Sequence, residues 1–96
     1  MMRALVLKLL TEHKPLLAAR FCVTELALFG SISRNTAGVN SDVGILVAFD
    51  GPATSSRYFG VQFYLEDLLG RPVDLITQKA LRRELRPYIE KEAVHV

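Results

Sequence analysis

The run Asp42 to Phe49, DVGILVAF, limits the possible folds of this chain more than any other segment. After its leading acid it contains no polar residue, whereas a strand with one wet face alternates polar and apolar positions. Both faces of this strand must therefore be covered, and in a chain of 96 residues the cover has to come from helices around one core. Gly44 interrupts the run at a position where glycine packs nothing and weakens a strand. It marks a bulge, a close backbone approach, or the place of a side chain that is absent.

The flanking segments supply the cover. Val6, Leu9 and Leu10 recur with Leu5 at helical spacing, which predicts an amphipathic helix from Met2 to about His13. Pro15 then opens a second short helix to about Arg20. CVTELALF, with Val23, Leu26 and Leu28, reads as a strand. GSISRNTAGVN reads as a turn, a short helical segment and a loop. A helix over about Arg57 to Leu69 is capped by Ser55 or Ser56 and stopped by Gly70, with Phe59, Phe63 and Leu68 in its core face. RPVDLIT is a third strand, helix returns from Gln78 with an interruption near Pro87, and AVHV is a candidate edge strand. The order predicts one small α/β domain over residues 1–96 with no linker or repeat.

Charge and cysteine content exclude several classes. A net charge of +2 gives no footprint for nucleic acid or an anionic membrane. No apolar run approaches the roughly 20 residues needed to span a bilayer, and MMRALVLKLL lacks a cleavage site, so it reads as helix and not as a signal peptide. The lone Cys22, between Phe21 and Val23, reads as a buried, inert thiol in a reducing compartment, and the expected location is the cytoplasm. His13 and His95 have no metal-ligand spacing and read as surface residues. Lys79, Arg82, Arg83 and Arg86 read as a solvated helix face, and Tyr58, Tyr64 and Tyr88 as packing or amphipathic surface.

Three features can carry chemistry. Phe29-Gly30-Ser31 runs a strand into a turn whose backbone N–H groups and hydroxyl suit a phosphate. Asp42 opens the second strand. Asp74 stands alone in the apolar third strand, where a carboxylate needs a cation, a donor or water. Positions 42 and 44 share a face, since strand residues two apart point the same way. Asp74 joins that face if the third strand lies beside the second. Carboxylates gathered on one patch call for a divalent cation.

Gly30-Ser31, then Ser41-Asp42, one residue, and a position normally acidic resembles the signature of the DNA polymerase beta-like nucleotidyltransferases. LALFGSISR, SDVGILVAF and RPVDLIT match, in order, the minimal, MntA-like branch of that superfamily. The resemblance implies a small nucleotidyltransferase fold, a mixed β-sheet of three to four strands flanked by helices. It implies that Gly30, Ser31, Arg34 and Ser41 serve the nucleotide. Asp42 and the acid two residues on would bind two Mg²⁺ ions, with Asp74 on the ion that activates the acceptor hydroxyl. The implied reaction is transfer of AMP from ATP to a tyrosine hydroxyl of a partner HEPN ribonuclease toxin.

Gly44 departs from that pattern, because the family carries Asp there. Loss of a bridging ligand removes about 4 kcal/mol of transition-state stabilisation, about 10³-fold in rate. Decay into a non-catalytic relative would relax the other motif residues too, yet Ser31, Asp42 and Asp74 are all in place. A single substitution in an otherwise intact motif is therefore the favoured reading, and the chain as written is expected to be impaired. The alternative is a non-catalytic antitoxin that binds and occludes its HEPN partner.

Overall fold

The computed structural model describes residues 3–30, 42–81, 83–84 and 86–96. Ser31, Arg34, Ser41, Arg82 and the short helical segment expected after Gly30 lie outside the described residues. The described elements are α1 (Arg3–Phe21), β1 (Val23–Phe29), β2 (Val43–Phe49), α2 (Ser55–Leu69), β3 (Val73–Thr77), α3 (Arg86–Glu92) and β4 (Val94–His95). The four strands form one mixed sheet in the order β3-β2-β1-β4. β2 runs antiparallel to β1 and parallel to β3, with α2 as the crossover that parallel neighbours require. β4 pairs antiparallel with the outer side of β1, so AVHV does supply an edge strand.

Strand alternation splits the core into two layers. Leu26, Leu28, Val43, Ile45, Val47, Val73 and Leu75 pack against Val6, Leu10 and Leu17 of α1 and Val61, Leu65 and Leu69 of α2. Ala27, Phe29 and Leu46 face the other way, against Leu81 with Ile76, Ile89 and Ala93 beside them. β2 is buried from Val43 to Val47, as its all-apolar sequence demanded.

Several local expectations need correction. Helix α1 runs unbroken through Pro15 and does not split at His13. A mid-helix proline costs about 3 kcal/mol, but Val6, Leu10 and Leu17 lie on one buried face spanning the proline, and each buried Leu returns about 2 kcal/mol. Thr54 caps α2, its hydroxyl accepting from the Arg57 N–H at 3.3 Å, because Ser55 is already helical. Phe59 and Phe63 are 50% and 64% exposed and stack on each other outside the core, whereas Leu68 packs against it. Helical spacing fits Phe59 and Phe63 as well as Val61, Leu65 and Leu69, and only the tertiary phase chooses between them. His13 is half-buried and hydrogen-bonds the Tyr64 hydroxyl through Nδ1, tying α1 to α2. Gly70 stops α2 in the left-handed conformation, as expected (φ 65°).

Edge strand β3 is closed by α2. Pro72 and Gln78 bond to β2 through their backbones, so the groups of Val73 and Leu75 point outward. Three side chains one turn apart meet them. The Tyr58 hydroxyl donates to the Leu75 carbonyl at 2.6 Å, Gln62 Nε2 approaches the Val73 carbonyl at 3.5 Å, and Glu66 Oε2 accepts from the Val73 N–H at 3.0 Å. Covering an edge in this way prevents pairing with a foreign strand.

Candidate active site

The end of β1 and the beginnings of β2 and β3 meet at one end of the sheet. β1 leaves through Gly30 at φ 84°, a left-handed conformation in which an L side chain is strained. Next to it, Phe29 lies opposite Gly44 and Gly44 opposite Asp74, so the three form one row across β1, β2 and β3. Asp42 directly precedes β2, and the alternation carried one residue upstream puts it on the Gly44 face. The expected convergence of Asp42 and Asp74 beside the Gly30 turn is thus a property of the register. Strand spacing of about 4.8 Å and a rise of about 3.3 Å per residue put their Cα atoms about 8 Å apart.

Both carboxylates are exposed. The cost of an acid in an apolar strand is met by water, because Asp74 itself is exposed while Val73 and Leu75 point into the core. Among the described residues no group of three or more acid, His or Cys side chains could hold a metal. Two carboxylates fit a single Mg²⁺, an ion that takes one or two carboxylates and completes its octahedron with water and substrate phosphates. They do not supply the bridging ligand that a pair of ions needs.

Gly44 is buried. A Cβ built there stands 2.9 Å from the Phe29 carbonyl oxygen and 2.9 Å from its ring carbon Cε2. The close approach that glycine implied in the sequence is real, and its partner is Phe29, a residue that sequence reading treated only as part of the Phe-Gly-Ser turn. The signal for it was present, since an aromatic residue opposite a strand glycine is a recurrent cross-strand pair. A groove of about 310 Å³ runs past Tyr58, Ile76, Leu81 and Ile89, and a smaller one sits at the far end of the sheet beside Phe49 and Gln78.

With this geometry in hand, known proteins offer close matches. The model of the nucleotidyltransferase domain family matches residues 9–96. The chain is 39% identical over 88 residues to the protein adenylyltransferase MntA of Thermococcus cleftensis, covering 92% of this chain and 89% of the relative. A solved structure assigned as a minimal nucleotidyltransferase superposes with a TM-score of 0.81 at 32% identity, over 98% of this chain and 95% of that one. At the level of fold alone, a chain from the complex of tri-AMPylated Shewanella oneidensis HEPN toxin with its MNT antitoxin matches with a TM-score of 0.61. That match has 19% identity and covers 97% of this chain and 66% of the other. Sequence family, relatives of nearly the same length and a shared mixed-sheet fold agree: this chain belongs to the nucleotidyltransferase domain family, in its minimal, MntA-like branch.

Proposed function

We propose that this chain is a protein adenylyltransferase of the antitoxin type, acting on a partner HEPN ribonuclease toxin with ATP as donor. The observation that carries the reading is the register Gly44 to Asp74, which sets Asp42 and Asp74 on one sheet face next to the Gly30 turn. A tyrosine hydroxyl of the partner would attack the α-phosphorus of ATP. The bond to the β-phosphate oxygen breaks, pyrophosphate leaves, and the hydroxyl proton passes to the acid face or to solvent. Gly30 and Ser31 are assigned to the triphosphate, and Arg34 and Ser41 to the nucleotide. Asp42 is assigned to the nucleotide's cation and Asp74 to the acceptor side. Mg²⁺, when bound, would neutralise phosphate charge and position the reacting oxygens.

Gly44 supplies no carboxylate, so the chain as written is assigned low turnover. We place it in the cytoplasm as one domain over residues 1–96, with no nucleic-acid or membrane partner. The relative named as an adenylyltransferase and the AMPylated toxin complex support the adenylyltransferase reading. The second reading, a non-catalytic antitoxin that occludes its partner, is favoured by one observation: position 44 holds glycine, which offers a cation no ligand.

The test is intact mass of a HEPN partner after incubation with ATP and Mg²⁺, using the parent chain and Gly44→Asp. Mass gain in whole AMP units with Gly44→Asp supports the transferase. Stoichiometric inhibition by both with no mass change overturns it in favour of occlusion.

A further inference from the structure

We infer that the groove beside Asp74 is a subsite for the partner polypeptide, and that it seats an apolar side chain about two to four residues from the acceptor hydroxyl. The inference rests on the adenylyltransferase reading and names what that site recognises besides the hydroxyl.

The groove begins one alternation away from the acid. Ile76 follows Asp74 by two residues in β3, so the two share a strand face, and Ile76 packs on the layer of Ala27, Phe29 and Leu46. Ile76, Ala80, Leu81 and Ile89 line a hollow of about 310 Å³ there, with Tyr58 and Leu75 at the sheet edge. Its near wall therefore stands about 6.6 Å along the strand from Asp74, two residues at the rise of a strand. That step matches the spacing of side chains on one face of a polypeptide. It is about 6.6 Å between residues i and i+2 of an extended chain, and about 5 to 6 Å between i and i+3 or i+4 of a helix. A partner whose hydroxyl reaches the acid face thus carries a neighbouring side chain over the groove.

The lining specifies that neighbour as apolar. Ile76, Leu81 and Ile89 are aliphatic, and both hydroxyls bordering the groove are engaged. Tyr58 donates to the Leu75 carbonyl at 2.6 Å, and Thr77 Oγ1 accepts from the Ala80 N–H at 3.1 Å. A purine base needs a few convergent polar groups to fix it, which an aliphatic wall with engaged hydroxyls does not offer. Charge adds a second constraint. The exposed charges described in the adjoining turn are Lys79, Arg83 and Glu84, a positive excess that favours acids beside the apolar residue of the partner. Arg86 does not add to it, being held by Gln78 and Glu90.

Two measurements on the whole chain with a HEPN partner test this. Ala80 is exposed and lines the groove, so Ala80→photo-leucine, a diazirine analogue of leucine, reports the occupant without touching the core. Irradiation of the complex and mass mapping should join residue 80 to an apolar partner residue within about four positions of the acceptor tyrosine. A complex that forms without this crosslink, or that crosslinks a segment remote from the tyrosine, overturns the inference. The second measurement is calorimetry on Ala80→Asp, with the urea midpoint as the check on folding. Setting a charge against an apolar side chain should weaken partner binding about tenfold and leave ATP binding unaltered. Unchanged partner affinity refutes the subsite, and a parallel loss of ATP affinity assigns the groove to the nucleotide instead. Crosslinking beside a tyrosine that gains no AMP would reject the adenylyltransferase reading and leave the groove standing, whereas AMP transfer without the crosslink does the reverse.

Discussion

The polar stripe of α2 gives a prediction whose size follows from the hydrogen bonds. Replacing Tyr58 by Phe, Gln62 by Leu and Glu66 by Leu keeps the apolar bulk and removes every side-chain partner described for the outward groups of β3. The Tyr58 bond to the Leu75 carbonyl, at 2.6 Å between neutral groups, contributes about 1 kcal/mol. The Glu66 bond to the Val73 N–H is charge-assisted and half-exposed, which sets it at the low end of its class, about 1.5 kcal/mol. Gln62 at 3.5 Å adds little. The loss of about 2.5 kcal/mol is a quarter to a half of the 5 to 10 kcal/mol available to a domain of this size. Urea denaturation should show it as a lower midpoint at unchanged slope. The Val73 amide should exchange faster with solvent, and sedimentation should reveal self-association through the uncovered edge. Glu66→Gln, which keeps an acceptor, should recover most of the Glu66 share. Unchanged stability in Glu66→Leu together with unchanged Val73 exchange would refute the reasoning.

Three further outcomes are expected. Gly60→Ala, which in an exposed helix interior stabilises by about 1 kcal/mol, should destabilise here, because the added methyl runs into the Phe21 ring; a raised thermal midpoint contradicts the packing of α1 on α2. Cys22 closes α1 at φ 60° with its N–H on the Ala18 carbonyl, so Cys22→Gly should gain about 0.5 to 1 kcal/mol by relieving the left-handed strain, measurable by urea denaturation, whereas Cys22→Val should lose stability. Asp74→Asn removes an exposed charge and should leave stability within about 0.5 kcal/mol while weakening Mg²⁺-dependent ATP binding in calorimetry; unaltered ATP affinity would dissociate Asp74 from the site.

Much of this arrangement was legible in the sequence, for reasons that are local. The unalternating β2 announced a strand covered on both faces, Gly70 announced the end of α2, and the spacing of Asp42 and Gly44 fixed their common face. What joined Asp74 to them was the pairing of β3 with β2, a contact between distant segments that periodicity in either strand does not encode. The α1 boundary was misread because Pro15 is a strong local signal outweighed by burial on both sides of it. Phe59 and Phe63 were misassigned because an apolar pair one turn apart has no intrinsic direction. The α2 stripe was visible as Tyr, Gln and Glu at intervals of four, but its meaning depends on which strand lies at the sheet edge.

The electrostatics of the acid face explain why a glycine can stand in a nucleotidyltransferase fold without disturbing it. Two carboxylates about 8 Å apart in water repel by only about 0.5 kcal/mol, a cost that folding absorbs without any cation. A third acid at position 44 would sit directly beside Asp74 and one alternation from Asp42. Asp74 at about 5 Å adds nearly 1 kcal/mol in water and Asp42 at about 7 Å adds about 0.6 kcal/mol, with more where the face is drier. A three-carboxylate site is therefore folded at the expense of repulsion that bound cations must offset, and its stability depends on metal. The two-carboxylate site with Gly44 removes that dependence by leaving out one charge. What it gives up is a self-sufficient metal cradle. A cation between Asp42 and Asp74 would draw the rest of its shell from water and from nucleotide phosphates, so in this chain cation affinity should rise when nucleotide is present.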